Sequence, residues 1–427
     1  RDPGRYPDAL VPFVDPYSDD HKPVASPFDV PAGDLQTVFV DLYVPADAAP
    51  GDYWAELTVA SAGDTVAEIP VELTVWDFEI PAERRITTSY GLVFAYIKRY
   101  HGGPDGPDGE AEKAFIRNYE LAFHKHRVDL ENMRVKPPID ADEEGNLLPM
   151  DLAEFDAELA PRVDGSYYPD GIGINRVALK KLGPGTGKHD LTDEGFAEAA
   201  RIVGEHLKEK GWLKHIYLYS LDEPWALDKW SEGSFDKIAH DVGLLHEKTD
   251  AWHGTVMVTG PWNAALDQHV DIWCPDTVMY GGDYYGPGSY PGPDKYDQLK
   301  AAGRELWFYV CRMNVPPFLG YDVDTKIGYE PRLLKWQAWA EGASGFLFWT
   351  TNYWNNDDPW HTLVKFPKKF VEEADRHGNG ILIFPGDHNG TKAPTGSPDW
   401  VSIDGPVMSY RFKQIRDGLE DPRMFLL

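Results

Sequence analysis

Two hydrophobic periods divide the chain, and one gives way to the other near residue 85. Before that point, short runs of β-branched and aromatic residues occupy 38–44, 53–59 and 66–75, with Pro50-Gly51-Asp52 and Ala62-Gly63-Asp64 between them. Such runs fit pleated strands, and Gly beside Pro or Asp supplies tight turns. Three strands in succession predict an antiparallel sheet, and residues 1–85 as a whole a β-sandwich-like N-terminal domain.

Beyond Pro81 the pattern alternates between strand and helix. Apolar strand runs lie at 87–94, 128–133, 215–220, 255–258, 271–273, 306–311 and 345–349, with a Gly/Pro-rich stretch at 161–190 long enough to hold one more. Between them, Phe115, Tyr119, Ala122 and Phe123 fall on one helical face, as do Phe196, Ala199, Val203 and Leu207, with Thr192 as a cap and Gly211 past the end. Residues 330–341 carry a third stripe through Leu333, Trp336 and Ala340. Strands alternating with helices imply parallel pairing through helical crossovers. The predicted class is therefore α/β, a (β/α)8 TIM-like barrel over 86–376, with a doubly wound sheet as the second arrangement. No Gly-X-Gly-X-X-Gly follows the first strand, which argues against a dinucleotide fold. From 377 the runs 381–384, 400–403 and 407–411 predict a small closing β region that ends in a helix, residues 377–427.

Length and charge narrow the functions. A chain of 427 residues accommodates two or three domains. Its net charge of −29 repels phosphate backbones and so disfavours nucleic acid as a partner. No apolar run reaches the length of a membrane span. The start at Arg1, without a methionine, reads as a trimmed or processed terminus, so the sequence does not show its own address; a secreted or periplasmic protein is the expectation. Only Cys274 and Cys311 are present, without zinc spacing; both lie in apolar runs and read as buried free thiols, with a bridge between them as the alternative. The 15 Trp and 22 Tyr are numerous enough to supply stacking surfaces as well as core.

In a barrel, chemistry sits at the C-terminal ends of strands. The run from His215 ends in Tyr219-Ser220-Leu221-Asp222-Glu223-Pro224, an apolar strand leading straight into two adjacent carboxylates. Burial and like charge together push carboxyl groups toward the protonated form, as a general acid requires, while a neighbour stays ionised. An ordinary loop start would also read as Asp-Glu-Pro. Other strand ends bring further candidates: Trp349, Asn352, Tyr353 and Trp354 after the last barrel strand, Tyr280, Asp283, Tyr284 and Tyr285 in a Gly-rich loop, and Trp262 and Asn263 after the run at 255–258. Aromatic faces and amide groups of this kind suit a hydroxyl-rich ligand with apolar C–H faces. Each Trp also reads as core.

Two motifs point elsewhere. Asp140 to Asp151 has oxygens at calcium-loop offsets and Gly145 at the sixth place, but it ends in Asp and carries Pro149, and a hairpin turn is the better reading. His124 and His126, two apart on a helix, do not share a face. Serine-hydrolase elbows and phosphate loops are absent from the sequence.

Taken together, the residues resemble glycoside hydrolase family 123 and the wider group of uncharacterised domains around it. The features in common are Pro45 with Pro50-Gly51-Asp52-Tyr53, the strand end 219–224, the run 271–275, the run 342–349, and the C-terminal stretch from Ser409 to Asp421. The resemblance covers nearly the whole chain. It implies a β-sandwich, a (β/α)8 barrel and a C-terminal β region, and an exo-acting, retaining β-N-acetylgalactosaminidase working by substrate-assisted catalysis. Glu223 would be the general acid/base, and Asp222 would orient the 2-acetamido group whose oxygen attacks the anomeric carbon. Tyr280, Tyr284 and Tyr285 compete for the acetamido-binding role. The implied partner is an oligosaccharide or glycoconjugate glycan, with no cofactor or metal. Two rivals remain: a glycosidase for a non-acetylated sugar with Asp283 as nucleophile, and a sugar-binding protein without catalysis.

Overall fold

A strand paired on both sides and covered on both faces is apolar at nearly every position, and the barrel runs have that character. In the computed structural model, described over residues 8–101, 109–134, 136–180, 182, 189–224, 234–283, 286–314, 317–323, 328–354, 359–360, 377–386 and 403–424, these runs form one sheet. Its strands are β3 (Thr87–Tyr90), β4 (Val177–Lys180), β5 (Ile216–Leu221), β6 (Val256–Thr259), β7 (Ile272–Cys274), β8 (Glu305–Val310) and β9 (Gly345–Phe348). They pair in parallel in the order β3-β9-β8-β7-β6-β5-β4. The strand expected within 161–190 is β4. The run at 128–133 forms no long ladder, yet it lies between the two ends of the sheet. The Tyr90 N–H donates to the Asp129 carbonyl (3.1 Å), the Glu131 N–H to the Tyr90 carbonyl (3.0 Å), and the Ala178 N–H to the Glu131 carbonyl (2.9 Å). The sheet is thus a nearly closed parallel barrel.

The pleat sends alternate side chains to opposite sides. Leu218, Val258, Trp273, Phe308 and Phe346 face outward into the main core, beneath α2 (Gly109–Lys125), α3 (Ala153–Val163), α4 (Asp193–Glu209), α5 (Ser234–Glu247), α7 (Pro293–Ala301) and α8 (Glu330–Ala340). The short helices α1 (Phe94–Tyr100) and α6 (Thr277–Tyr280) follow β3 and β7 directly. Ala178, Tyr217, Met257, Ile272, Cys274, Trp307, Tyr309 and Leu347 face inward and form a separate cluster. The interior is therefore packed, not a pore. Helix starts follow local chemistry: the Thr192 hydroxyl accepts the Gly195 N–H (3.2 Å) at the head of α4, with Asp193 and Glu194 in the first turn, where the helix dipole favours them.

The C-terminal region joins the same core. Strands β10 (Ile383–Pro385) and β11 (Pro406–Met408) pair antiparallel, and α9 (Tyr410–Met424) packs on α8. Arg411 is wholly buried at this junction. Its guanidinium ion-pairs with Asp8 (2.7 Å) and donates to the carbonyls of Tyr321, Gly378 and Ile381.

Of the three strand runs expected in the first 85 residues, two form and one does not. Strands β1 (Gly51–Ser61) and β2 (Asp64–Val75) make the expected hairpin, but residues 38–44 form no strand. Their side-chain contacts run to α9 instead: Asp41 pairs with Lys413 (2.7 Å) and Arg416 (2.8 Å), and Phe39 meets the Tyr410 ring edge-on. Among the described residues no helix is long and apolar enough to cross a membrane.

Close packing inside the barrel makes a sharp prediction at Gly345. A Cβ there would lie 2.2 Å from the Trp307 ring. Gly345→Ala should lower the unfolding free energy by about 1–3 kcal/mol, read as a lower denaturant midpoint, through overpacking.

Candidate active site

On β5 the pleat turns Tyr217 and Tyr219 inward. Strict alternation would then send Leu221 inward and Asp222 outward. The ladder to β6 breaks that alternation: Tyr219 sits opposite Met257, but Leu221 sits opposite Val258, so one residue is inserted between them. A one-residue bulge reverses every side chain beyond it. Leu221 packs against the outer core, and Asp222 turns to Thr259, which follows inward-facing Met257 by two.

The Thr259 hydroxyl anchors this turn. It donates to Asp222 Oδ1 (3.1 Å) and accepts the Glu223 backbone N–H (2.8 Å). The Tyr219 hydroxyl donates to the same Asp222 oxygen (2.8 Å). Glu223 has a φ of 47°, left-handed for a residue that is not glycine and that precedes a proline. Such backbone costs roughly 1–3 kcal/mol and persists only where its surroundings hold it. Here the Thr259 hydroxyl holds the amide, and the Tyr309 hydroxyl, rising from β8, donates to Glu223 Oε1 (2.9 Å). Asp222 is exposed and Glu223 half-buried, so both carboxylates are open to a ligand at the C-terminal mouth.

Two further carboxyl groups flank them. Glu131 is buried and ion-pairs with Lys180 (2.7 Å), whose ammonium also lies 4.9 Å over the Tyr219 ring. Burial raises the pKa of Glu131, and Asp222 adds to the rise while Lys180 opposes it. Asp276 follows β7 and is wholly buried; its Oδ1 accepts the Val278 N–H (3.0 Å) at the start of α6, and the Cys311 thiol donates to Oδ2 (3.2 Å). Burial pushes the Tyr219 and Tyr309 phenols up, and the neighbouring carboxylates push them further, so both remain neutral donors. Cys274 and Cys311 are free.

Of the other residues predicted from sequence, Trp349 lies at the end of β9, half-buried, with its indole N–H on Asn379 (2.9 Å) and its ring against Tyr353. Asn352 and Trp354 are not at the rim but wholly buried. Asn352 clamps the Val93 amide (2.8 Å) and carbonyl (3.1 Å), and Trp354 donates to the Ile383 carbonyl (3.0 Å) while packing on Tyr100 and Tyr119. Tyr280 faces the outer layer, its hydroxyl on Glu341 (2.8 Å) and its ring against Tyr296 and Phe308, because α6 points it between barrel and helices. Trp262 bonds Asp267 (2.6 Å) beneath Lys295, and Asn263 caps the turn that follows. Asp283 is exposed and takes the Gly288 N–H (2.7 Å) within its own loop. Tyr284 and Tyr285 lie outside the described residues.

Thr259, Tyr309, Asp276 and Glu131 escape a reading of motifs. Only Glu131 carries a local signal, an acid inside an apolar run. The loop at 140–151 closes as a turn, with Asp142 Oδ1 accepting the N–H groups of Glu144 (3.1 Å) and Asn146 (2.7 Å). No cluster of three or more metal-ligating side chains occurs among the described residues.

The anchoring role of Thr259 is testable by stability alone. Thr259→Val keeps the shape but leaves a backbone N–H and a carboxylate oxygen short of a partner. It should cost about 1–3 kcal/mol, and Thr259→Ser should recover most of that, both measured by urea unfolding.

Residues 193–427 match the family model for the catalytic domain of glycoside hydrolase 123. No curated protein matches the chain. Among solved structures, a family 39 glycoside hydrolase from Bacteroides cellulosilyticus WH2 is similar at 14% identity and a TM-score of 0.36, over 86% of this chain and 71% of that one. A β-glucuronidase from Parabacteroides merdae is similar at 11% identity and a TM-score of 0.30, over 70% of this chain but only 37% of its own length. A β-glucuronidase from Ruminococcus gnavus is similar at 12% identity and a TM-score of 0.29, over 79% of this chain and 52% of that one. At these TM-scores none of the three bears on the assignment of site residues.

Proposed function

The chain belongs to glycoside hydrolase family 123, and we propose that it is an exo-acting, retaining enzyme that releases a terminal β-linked N-acetylhexosamine, N-acetylgalactosamine above all. Its barrel on this reading is the full (β/α)8 form, with residues 128–133 as the strand between β3 and β4. A glycan outside the cytoplasm is the substrate, and the enzyme is secreted or periplasmic.

One observation carries the reading: two adjacent carboxylates at one strand end, each with its own hydroxyl donors. Glu223 as general acid gives its proton to the glycosidic oxygen while the bond from that oxygen to the anomeric carbon breaks. The carbonyl oxygen of the substrate's 2-acetamido group attacks the same carbon and closes an oxazolinium ring, so no protein nucleophile is needed. Asp222 accepts the acetamido N–H and offsets the positive charge of that ring. Its hold on Tyr219 and Thr259 fixes its direction before substrate arrives, and preorganisation of this kind avoids reorganisation during the reaction. A water then opens the ring with Glu223 as base, returning the proton to Glu223 and retaining configuration. The rival nucleophile Asp283 is drawn into its own loop by Gly288, which disfavours a two-carboxylate displacement.

Glu223→Gln should lower turnover roughly 10²–10⁴-fold on glycosides with poor leaving groups and much less on activated aryl glycosides. Equal losses on both would remove Glu223 from the acid role. With Glu223 intact, successive fluorination of the N-acetyl group should slow the reaction steeply, and a thiazoline mimic of the ring should inhibit strongly. A flat fluorine series together with a trapped glycosyl-carboxylate adduct would sink the substrate-assisted mechanism.

A ligand-stacking role for Trp349 makes a separate prediction. Trp349→Ala should raise KM several-fold beyond any stability loss; lost stability with KM unchanged would leave the ring a packing group only.

A further inference from the structure

Lys180 closes β4, and the mechanism above does not use it. Ala178 of the same strand faces the barrel interior, so Lys180, two residues on, faces inward at the C-terminal mouth. It stands opposite Tyr219 in the parallel pairing of β4 with β5. Its ammonium donates to Glu131 (2.7 Å) and lies 4.9 Å over the face of the Tyr219 ring. The hydroxyl of that same ring donates to Asp222 (2.8 Å). A single phenol thus carries Lys180 on its face and Asp222 at its edge.

The two halves of the ion pair differ in exposure. The Glu131 side chain is 4% exposed and that of Lys180 39% exposed. A carboxylate buried in a barrel wall loses hydration that an apolar side chain never had. What it supplies here is direction, because it draws a long, flexible side chain across the Tyr219 face instead of out to solvent. An ammonium has three N–H groups, and among the described residues Glu131 is the one hydrogen-bond acceptor that Lys180 meets. Donors therefore remain for a ligand at the mouth.

We propose that Lys180 is a specificity-determining residue that donates a hydrogen bond to the 3-hydroxyl of the sugar whose 2-acetamido group rests on Asp222. The assignment rests on the substrate-assisted reading of the site. On that reading, consecutive sugar carbons follow the barrel wall. Glu223, held from β8 by Tyr309, serves the bond at carbon 1. Asp222, at the end of β5, serves carbon 2. Strand β4 lies on the side of β5 away from β8, where carbon 3 comes next. The group recognised is a neutral hydroxyl, not a sulfate or a carboxylate. Glu131 already balances the ammonium, and Asp222 and Glu223 stand at the neighbouring strand end, so an anion there would meet an excess of negative charge.

The test compares kcat/KM of wild type and Lys180→Met on nitrophenyl N-acetyl-β-galactosaminide and on its 3-, 4- and 6-deoxy analogues. A hydrogen bond from a charged donor is worth a factor of roughly 10–100. Lys180→Met should lose that factor on the parent substrate, and wild type should lose a similar factor on the 3-deoxy analogue. The two losses should not add, so both proteins should handle the 3-deoxy analogue alike. On the 4- and 6-deoxy analogues the variant should show its full loss. Because Lys180→Met strands Glu131, the same comparison is made with Lys180→Met/Glu131→Gln, which buries no unpaired charge. A merely structural lysine would give equal losses on all four substrates, the 3-deoxy analogue included, and that result overturns the proposal. Coupling to the 4- or 6-hydroxyl instead overturns it as well. A 3-sulfated substrate that wild type hydrolyses faster than the parent, and Lys180→Met does not, would replace the hydroxyl by an anion. If wild type hydrolyses only nitrophenyl β-galactoside, and its 3-deoxy analogue couples to Lys180 in the same way, the role of the lysine stands and the acetamido sugar of the proposed function falls.

Discussion

A parallel sheet curled into a barrel leaves each residue only two choices, inward or outward, and the two-residue pleat makes that choice for a whole strand at once. Everything at the mouth depends on this constraint. Tyr217 and Tyr219, Met257 and Thr259, Trp307, Tyr309 and Cys311 all arrive inside because each is two residues from the last. Among the described barrel strands β5 departs from the rule, through its bulge beside β6. That departure turns the acidic end of the strand into the barrel, where Thr259 and Tyr309 meet it.

The mouth is stable because polar groups there are paired, not because charges are absent. Four carboxyl groups, Glu131, Asp222, Glu223 and Asp276, stand at neighbouring strand ends. Each has hydroxyl, thiol, amide or ammonium donors from adjacent strands. Removing one partner from such a network leaves a buried oxygen unsatisfied, which costs more than the bond contributed. The left-handed backbone at Glu223 is the clearest strain in the site, and the same Thr259 hydroxyl that orients Asp222 also stabilises it. The two adjacent carboxylates and the local strain thus share one turn of chain.

Away from the mouth, buried charge binds the chain's distant parts together. Arg411 joins Asp8, some 400 residues away in sequence, to the loops at 321 and 378–381. Replacing either member of such a pair would strand the other in the core, which is strongly destabilising. Lys335 presents a different solution. It is wholly buried, its ammonium lies 3.0 Å over the Phe346 ring and donates to the Tyr321 hydroxyl (2.6 Å), and burial pulls its pKa well below the usual lysine range. Aromatic faces and a phenol surround an amine whose charged form burial disfavours.

Sequence periodicity determined the order of strands and helices after residue 85, because a two-residue or 3.6-residue apolar repeat is a local property. It also marked Asp222 and Glu223 as candidates, since two acids at the end of an apolar strand have no packing use, and both stand at the C-terminal mouth. It could not tell which aromatic residues at the strand ends stay accessible. Trp349 remains half-buried at the end of β9, while Trp354, five residues on, is sealed against Tyr100 and Tyr119. Residues 38–44 have strand character, but their contacts with α9 lie 370 residues away and leave no local trace. The decisive case is the bulge in β5. By alternation alone Asp222 would face outward, and only the pairing of β5 with β6 reverses it, because register belongs to two strands at once and neither contains it.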